Sequence, residues 1–309
     1  MIRGAAPFFA AVAGGPPARA LWAEAEDGVR LRVALWAAGT RGSVALLPGR
    51  TEYCEKYADA AAHLAARGFA AAAIDWRGQG LTERLGRNRM LGHVGAFDWY
   101  QHDLDAMAAA MAAGGLPRPF HLLGHSMGGT IGLRGLMRGL PFARAAFSAP
   151  MWGLPLVPHM RLVAWTLSHL GTALGLGAAG VPRSGKVADP ARAPFEGNLL
   201  TTDPDRFAWM RAQVRAHPAL ALGTPTLGWL RAALREMRAL AALPSPAVPA
   251  LALLGGDEGI VDPRAVHERM ARWPGGRLLA VPGARHEVLM EGDELRGRLF
   301  DALADHFAG

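Results

Sequence analysis

The chain has 309 residues, half of them hydrophobic and a fifth charged, which excludes a disordered protein and allows one large domain or two modest ones. Its formal charge is +7, but the arginines are scattered singly with no basic run, so a nucleic-acid partner is not expected. The single cysteine, Cys54, excludes an internal disulfide, and without CxxC or HExxH patterns no zinc site is expected.

The first twenty residues, MIRGAAPFFAAVAGGPPARA, loosely imitate a secretory signal. Pro7, Gly14, Gly15 and the Pro16-Pro17 pair break the apolar stretch, so the expectation is a cytoplasmic protein rather than an exported one. Residues 29–36 (VRLRVALW) alternate as a strand does, and 43–49 (SVALLPG) read as a buried strand stopped by Pro-Gly. A helix over 54–67 ends at Gly68, a strand follows at 69–76, and helical periodicity runs from 97 to 113. FHLLGHS is a strand entering a turn, MGGTIGLRGLMRG a helix, and 143–150 another strand.

Alternation resumes late, with PALALLGG and GRLLAVPGA as strands, and helices at PRAVHERMARW and ELRGRLFDALADHF. Alternating strands and helices imply an α/β fold with a mainly parallel sheet covered by helices on both faces. Between them, 151–240 break the pattern with Leu-, Trp- and Met-rich helical pieces such as DRFAWMRAQVRAH and GWLRAALREMRAL. The expected organisation is a core of 1–150 and 241–309 carrying a mostly helical cap at 151–240. Residues 162–181 carry no Asp, Glu, Lys or Arg and are long enough to span a bilayer, but their Gly, Ser, Thr and His content favours a buried or interfacial helical pair.

The sharpest motif is GHSMG, Gly124 to Gly128, between an apolar strand and a Gly-rich helix start. That context fits a nucleophile elbow, with Ser126 on a strained turn at a helix N-terminus. A serine hydroxyl needs a base, and His286 lies in the loop between the last strand and the last helix. His125 adjoins Ser126, but neighbours on a sharp turn are expected to point apart, and His267 falls in a helix. The base needs a carboxylate, and Asp257, Glu258 and Asp262 crowd behind the strand LALLGG. Asp262 precedes Pro263 and reads as a helix N-cap.

These motifs resemble the α/β-hydrolase superfamily. Its strand-end pattern G-x-x-D, counted from Gly255, falls on Glu258, with Asp257 as the alternative acid. The resemblance also implies an oxyanion hole from the backbone N–H groups of Met127 and of Arg50 in PGRTEYCEKY (48–57). That segment resembles H-G-x-x-E-H-x-x-R-Y of monoacylglycerol lipases, with Pro48 in place of His and with Glu52, Lys56 and Tyr57 in keeping. DWRGQGLT (75–82) resembles the superfamily's D-x-x-G-x-G-x-S turn, taken as structural. Together with NLLTTDPDRFAWM and LGTPTLGWL, these segments look most like bacterial lysophospholipases of the monoacylglycerol-lipase-like group.

The resemblance implies a serine hydrolase acting on a small lipid-like ester, without metal or organic cofactor. An apolar cap would form an acyl-chain slot and could rest on a membrane surface. A serine aminopeptidase of similar fold and a non-catalytic binder of apolar ligands are the alternatives. An epoxide hydrolase or dehalogenase would carry Asp at the elbow. Neither oligomeric state, acyl length nor head group is legible.

Overall fold

The computed structural model describes residues 2–86, 88–182 and 190–309. Its strands are β1 (Ile2–Ala5), β2 (Arg19–Glu24), β3 (Arg30–Trp36), β4 (Ser43–Leu47), β5 (Ala70–Asp75), β6 (Phe120–His125), β7 (Ala145–Ser148), β8 (Ala250–Gly255) and β9 (Gly276–Val281). They form one sheet in the order β1-β2-β3-β5-β4-β6-β7-β8-β9. The pairs β1/β2, β2/β3 and β3/β5 are antiparallel, and every pair from β5 onward is parallel.

The helices are α1 (Ala10–Ala13), α2 (Ala58–Ala65), α3 (Trp99–Ala113), α4 (Met127–Met137), α5 (Pro158–Ala173), α6 (Pro204–Ala216), α7 (Leu227–Ala242), α8 (Pro263–Ala271) and α9 (Asp293–Ala308). Side chains alternate across the pleat, so Val44 and Leu46 of β4 face one core while Ala45 and Leu47 face the other. On one face lie Leu104 and Met107 of α3 with Ile131 and Leu133 of α4; on the other lie Leu64 of α2 and Phe300 of α9. All these side chains are fully buried. Each of the larger ones contributes about 1.5–3 kcal/mol relative to exposure, and Ala45 less. A sheet covered on both faces needs strands that are apolar throughout, and β4, β5, β6 and β8 are buried at every residue.

Three sequence expectations need adjustment. The signal-like N-terminal stretch supplies two antiparallel strands, β1 and β2, with α1 between them. Its Pro and Gly residues separate these elements. The expected helix over 54–67 begins as a 3-10 turn, Cys54–Tyr57, before α2. The stretch 162–181 is one helix, α5, and not a pair: the chain turns at Gly175, where φ is +79°, and Gly180 bridges to Thr226.

The segment between β7 and β8 contains α5, α6 and α7. Asp203 caps α6 by accepting the N–H groups of Asp205 and Arg206, and Thr226 caps α7 by accepting that of Trp229. The buried residues of α5 are Ser168 and Gly171, and a Cβ on Gly171 would lie 2.7 Å from Leu227 of α7. The outer face of α5 is apolar, with Leu162 68 % and Leu170 58 % exposed. No helix among the described residues is long and apolar enough to cross a membrane.

Candidate active site

The parallel strands bring their C-terminal ends, and the loops that follow, to one edge of the sheet. Ser126 follows β6 with φ 49° and ψ −117°. A non-glycine residue there costs about 1–3 kcal/mol and persists only where its surroundings hold it. Its N–H donates to the Ser148 carbonyl at 3.0 Å, and its own carbonyl accepts from Gly129 and Met151, both at 2.9 Å. The elbow's glycines are required by contact. A Cβ on Gly128 would stand 2.0 Å from the Leu47 carbonyl oxygen, and one on Gly124 2.8 Å from the Gly129 Cα. Bare backbone therefore lets α4 start directly against β4 and β6.

Because Leu47 pairs with Gly124, the loop after β4 runs beside the elbow. A Cβ on Gly49 would fall 3.2 Å from that of Ser126. Thr51 also has positive φ, 74°, and its N–H donates to Gln79 Oε1 at 2.7 Å. Among the described residues the Arg50 backbone N–H has no acceptor. Met127 opens α4, where an N–H has no carbonyl four residues back to bond.

Strands β8 and β9 pair at Gly255 and Val281, which sets the next two loops side by side. There the Nδ1–H of His286 donates to Glu258 Oε2 at 2.8 Å. Glu258 also accepts the N–H groups of Ile260 at 2.6 Å and Val261 at 3.0 Å. Burial pushes the Glu258 carboxyl up, but the bonds from His286, Ile260 and Val261 hold it below the usual range. Burial lowers the His286 pKa, with His125 adding to that and Glu258 opposing it. Asp257 is exposed, and Asp262 caps α8 by accepting the Arg264 N–H at 3.0 Å.

Some contacts at this edge, and the part played by Glu287, were not expected. The His125 ring centroid lies 4.9 Å from that of His286, and its Nδ1 donates to the Ser148 carbonyl at 3.0 Å. Lys56 Nζ donates to Glu52 Oε1 at 2.5 Å and to Glu287. Glu52 in turn accepts from the Gly49 N–H and from the Tyr57 hydroxyl. One buried ammonium thus ties the loop after β4 to the residue after His286. Glu52, His125 and Glu287 could face a metal ion, with ligand atoms within 4.8 Å, but Lys56 already supplies the charge both carboxylates need. Glu287 could have been noticed as a charge beside His286, but its buried partner is remote in sequence. Asp75 holds its turn together, accepting from Arg32, Cys54 and Leu81, which matches a structural role.

A small cavity at this edge is lined by Glu52, Lys56, His125, Ser148 and Glu287, and two larger ones lie near it. One, of about 460 Å³, is lined by Arg50, Glu52, Lys56 and Glu287 on one side and by Phe207 and Met210 of α6 on the other. The second, of about 820 Å³, is lined by Trp152, Leu154, Leu162, Trp165, Leu234 and Met237, with Arg161 and Arg238 among its polar residues. Ser126 and His286 line neither and are almost closed off, at 8 % and 3 % exposure. Leu199 and Leu200, from the segment between β7 and β8, accept the backbone N–H groups of His286 and Glu287.

The profile of the Hydrolase_4 family, described as serine aminopeptidase, S33, matches residues 38–293. The chain belongs to this family. Lysophospholipase L2 of Escherichia coli (strain K12) is 33% identical over 282 residues, covering 85% of this chain and 79% of that protein. Probable lysophospholipase L2 of Haemophilus influenzae is 30% identical over 265 residues, covering 85% and 82%. In fold, the chain is similar to a monoglyceride lipase from Saccharomyces cerevisiae, with a TM-score of 0.71 at 21% identity over 92% of this chain and 93% of that one. This member of Hydrolase_4 is an α/β-hydrolase and a serine ester hydrolase.

Proposed function

We propose that this protein hydrolyses carboxylic esters of apolar acyl chains, lysophospholipids or monoacylglycerols, through a Ser126–His286–Glu258 triad and an acyl-enzyme. Ser126 Oγ attacks the ester carbonyl while His286 Nε2 takes its proton and then returns it to the leaving alcohol. Glu258 fixes the tautomer with Nδ1 protonated and stabilises the imidazolium. The backbone N–H groups of Met127 and Arg50 receive the oxyanion, at the start of α4, where the helix dipole favours negative charge. Water then repeats the sequence on the acyl-enzyme. The observation that supports this reading is the hydrogen bond between His286 and Glu258, together with a serine held at positive φ after β6.

Residues 151–240 act as the cap. The acyl chain takes the larger cavity, whose Trp152 follows Met151, bonded to the Ser126 carbonyl. The exposed apolar face of α5 rests on the lipid surface, making the enzyme a peripheral, cytoplasmic one. Similarity to the two lysophospholipases supports the substrate class. An aminopeptidase would need enclosed, free carboxylates for the substrate amine, and of those lining the smaller cavity Glu52 and Glu287 are already bound to Lys56, while Glu196 is exposed. The test is hydrolysis of 4-nitrophenyl esters from acetyl to palmitoyl. A preference for medium or long chains supports the reading, and hydrolysis of amino-acyl anilides in place of esters would refute it.

A further inference from the structure

The side chain of Arg50 has an environment that the oxyanion role of its backbone does not explain. Its Nη2 donates to the Gly223 carbonyl at 2.6 Å, and the guanidinium stands 5.4 Å from the Trp229 ring. A Cβ on Gly92 would meet Nη2 at 2.7 Å, so that edge of the guanidinium is packed tight. Its Nε is enclosed and bonded to nothing. Among the described residues no carboxylate pairs with it. Glu52 and Glu287, on the same cavity wall, are committed to Lys56. Burial accordingly lowers its pKa to about 10, the Tyr100 hydroxyl opposing, which leaves it charged at neutral pH. An enclosed cation without an anion is costly, and proteins normally pair it.

The missing anion has a natural position. Arg50 lines the 460 Å³ cavity. If its N–H holds the ester oxyanion, as the proposed function requires, its side chain lines the cavity next to the reacting ester, and a phosphate joined to that ester through glycerol would bring the anion in the same substrate. We propose that the Arg50 side chain is the headgroup-reading residue of the site and binds the phosphodiester of a lysophospholipid. The inference rests on the ester-hydrolase reading. It adds a selectivity: an anionic glycerophosphate ester is favoured over a neutral glyceride with the same acyl chain. A guanidinium suits this ligand because it stays charged and donates charge-assisted hydrogen bonds to phosphate oxygens.

The test compares kcat/KM for 1-palmitoyl-lysophosphatidylcholine and 1-palmitoylglycerol, both in the same neutral detergent micelles, for wild type, Arg50→Lys and Arg50→Met. The wild type should prefer the phospholipid, and Arg50→Met should lower the preference by about tenfold or more, the loss expected for a charge-assisted hydrogen bond. Arg50→Lys should keep part of it. If Arg50 were only a strut under Gly223, both substrates would lose equally, and an unchanged ratio overturns the proposal. A second arm needs no variant: glycerophosphocholine should inhibit wild-type hydrolysis of the neutral ester competitively, and glycerol should not. Equal inhibition by both, or equally strong inhibition by inorganic phosphate, would rule out headgroup recognition. A wild type that cleaves the glyceride but not the phospholipid refutes this inference alone; one that cleaves neither refutes the ester-hydrolase reading with it.

Discussion

Glu258 and His286 meet at 2.8 Å across two loops whose strands, β8 and β9, are neighbours in the sheet. The adjacent Asp257 is exposed, and Asp262 is bound to its own helix start. Glu258→Gln should therefore lower kcat by about 10³–10⁴, since the amide cannot favour the imidazolium. Asp257→Asn should stay within a factor of a few. Steady-state ester hydrolysis measures both, and a collapse in Asp257→Asn with normal Glu258→Gln would reassign the acid.

The acidic limb of the rate profile should lie below the ordinary histidine pKa of 6.5. The mechanism needs His286 neutral, and burial favours the neutral form more than Glu258 opposes it. Activity is thus retained as pH falls to 6.5 and lost only below it. Glu258→Gln removes an interaction that raises the pKa, so residual activity should reach still lower pH. A wild-type kcat/KM profile with its limb at or above 6.5 would contradict this.

The alternation of strand and helix was legible in the sequence because buried parallel strands are apolar throughout and are punctuated by Gly and Pro. Ser126 stood out because it follows such a strand, whereas His286 stood out by its place in the loop between the last strand, itself largely exposed, and the last helix. The antiparallel edge was not legible. Ile2–Ala5 is an exposed strand of four residues, and Arg19–Glu24 mixes charge with Trp22, so neither gives a periodic signal. The interaction of Lys56 with Glu287 was hidden as well, because the pair is 231 residues apart and only the sheet order brings them together. Local spacing suggested that Glu258 faces His286 only through a family pattern; the hydrogen bond depends on the pairing of β8 with β9.

Lys56 should matter for stability before it matters for chemistry. Replacing it by Met strands Glu52 and Glu287 without a cation, a loss of about 3–5 kcal/mol for a buried pair. The two carboxyls would then have raised folded-state pKa values, so the variant's deficit should shrink as pH falls and grow as it rises. Lys56→Arg should recover part of the loss. Urea denaturation at several pH values measures this, and a Met variant as stable as wild type would show that the ammonium is dispensable.

The central claim is that Ser126 is a nucleophile activated by His286. A fluorophosphonate probe followed by peptide mass analysis tests it most directly, because the probe modifies a serine only when a base activates it. The account predicts stoichiometric labelling on the peptide containing Ser126, greatly slowed in His286→Ala and absent in Ser126→Ala. Failure of the folded wild type to label, or labelling at another residue that persists in Ser126→Ala, would contradict it.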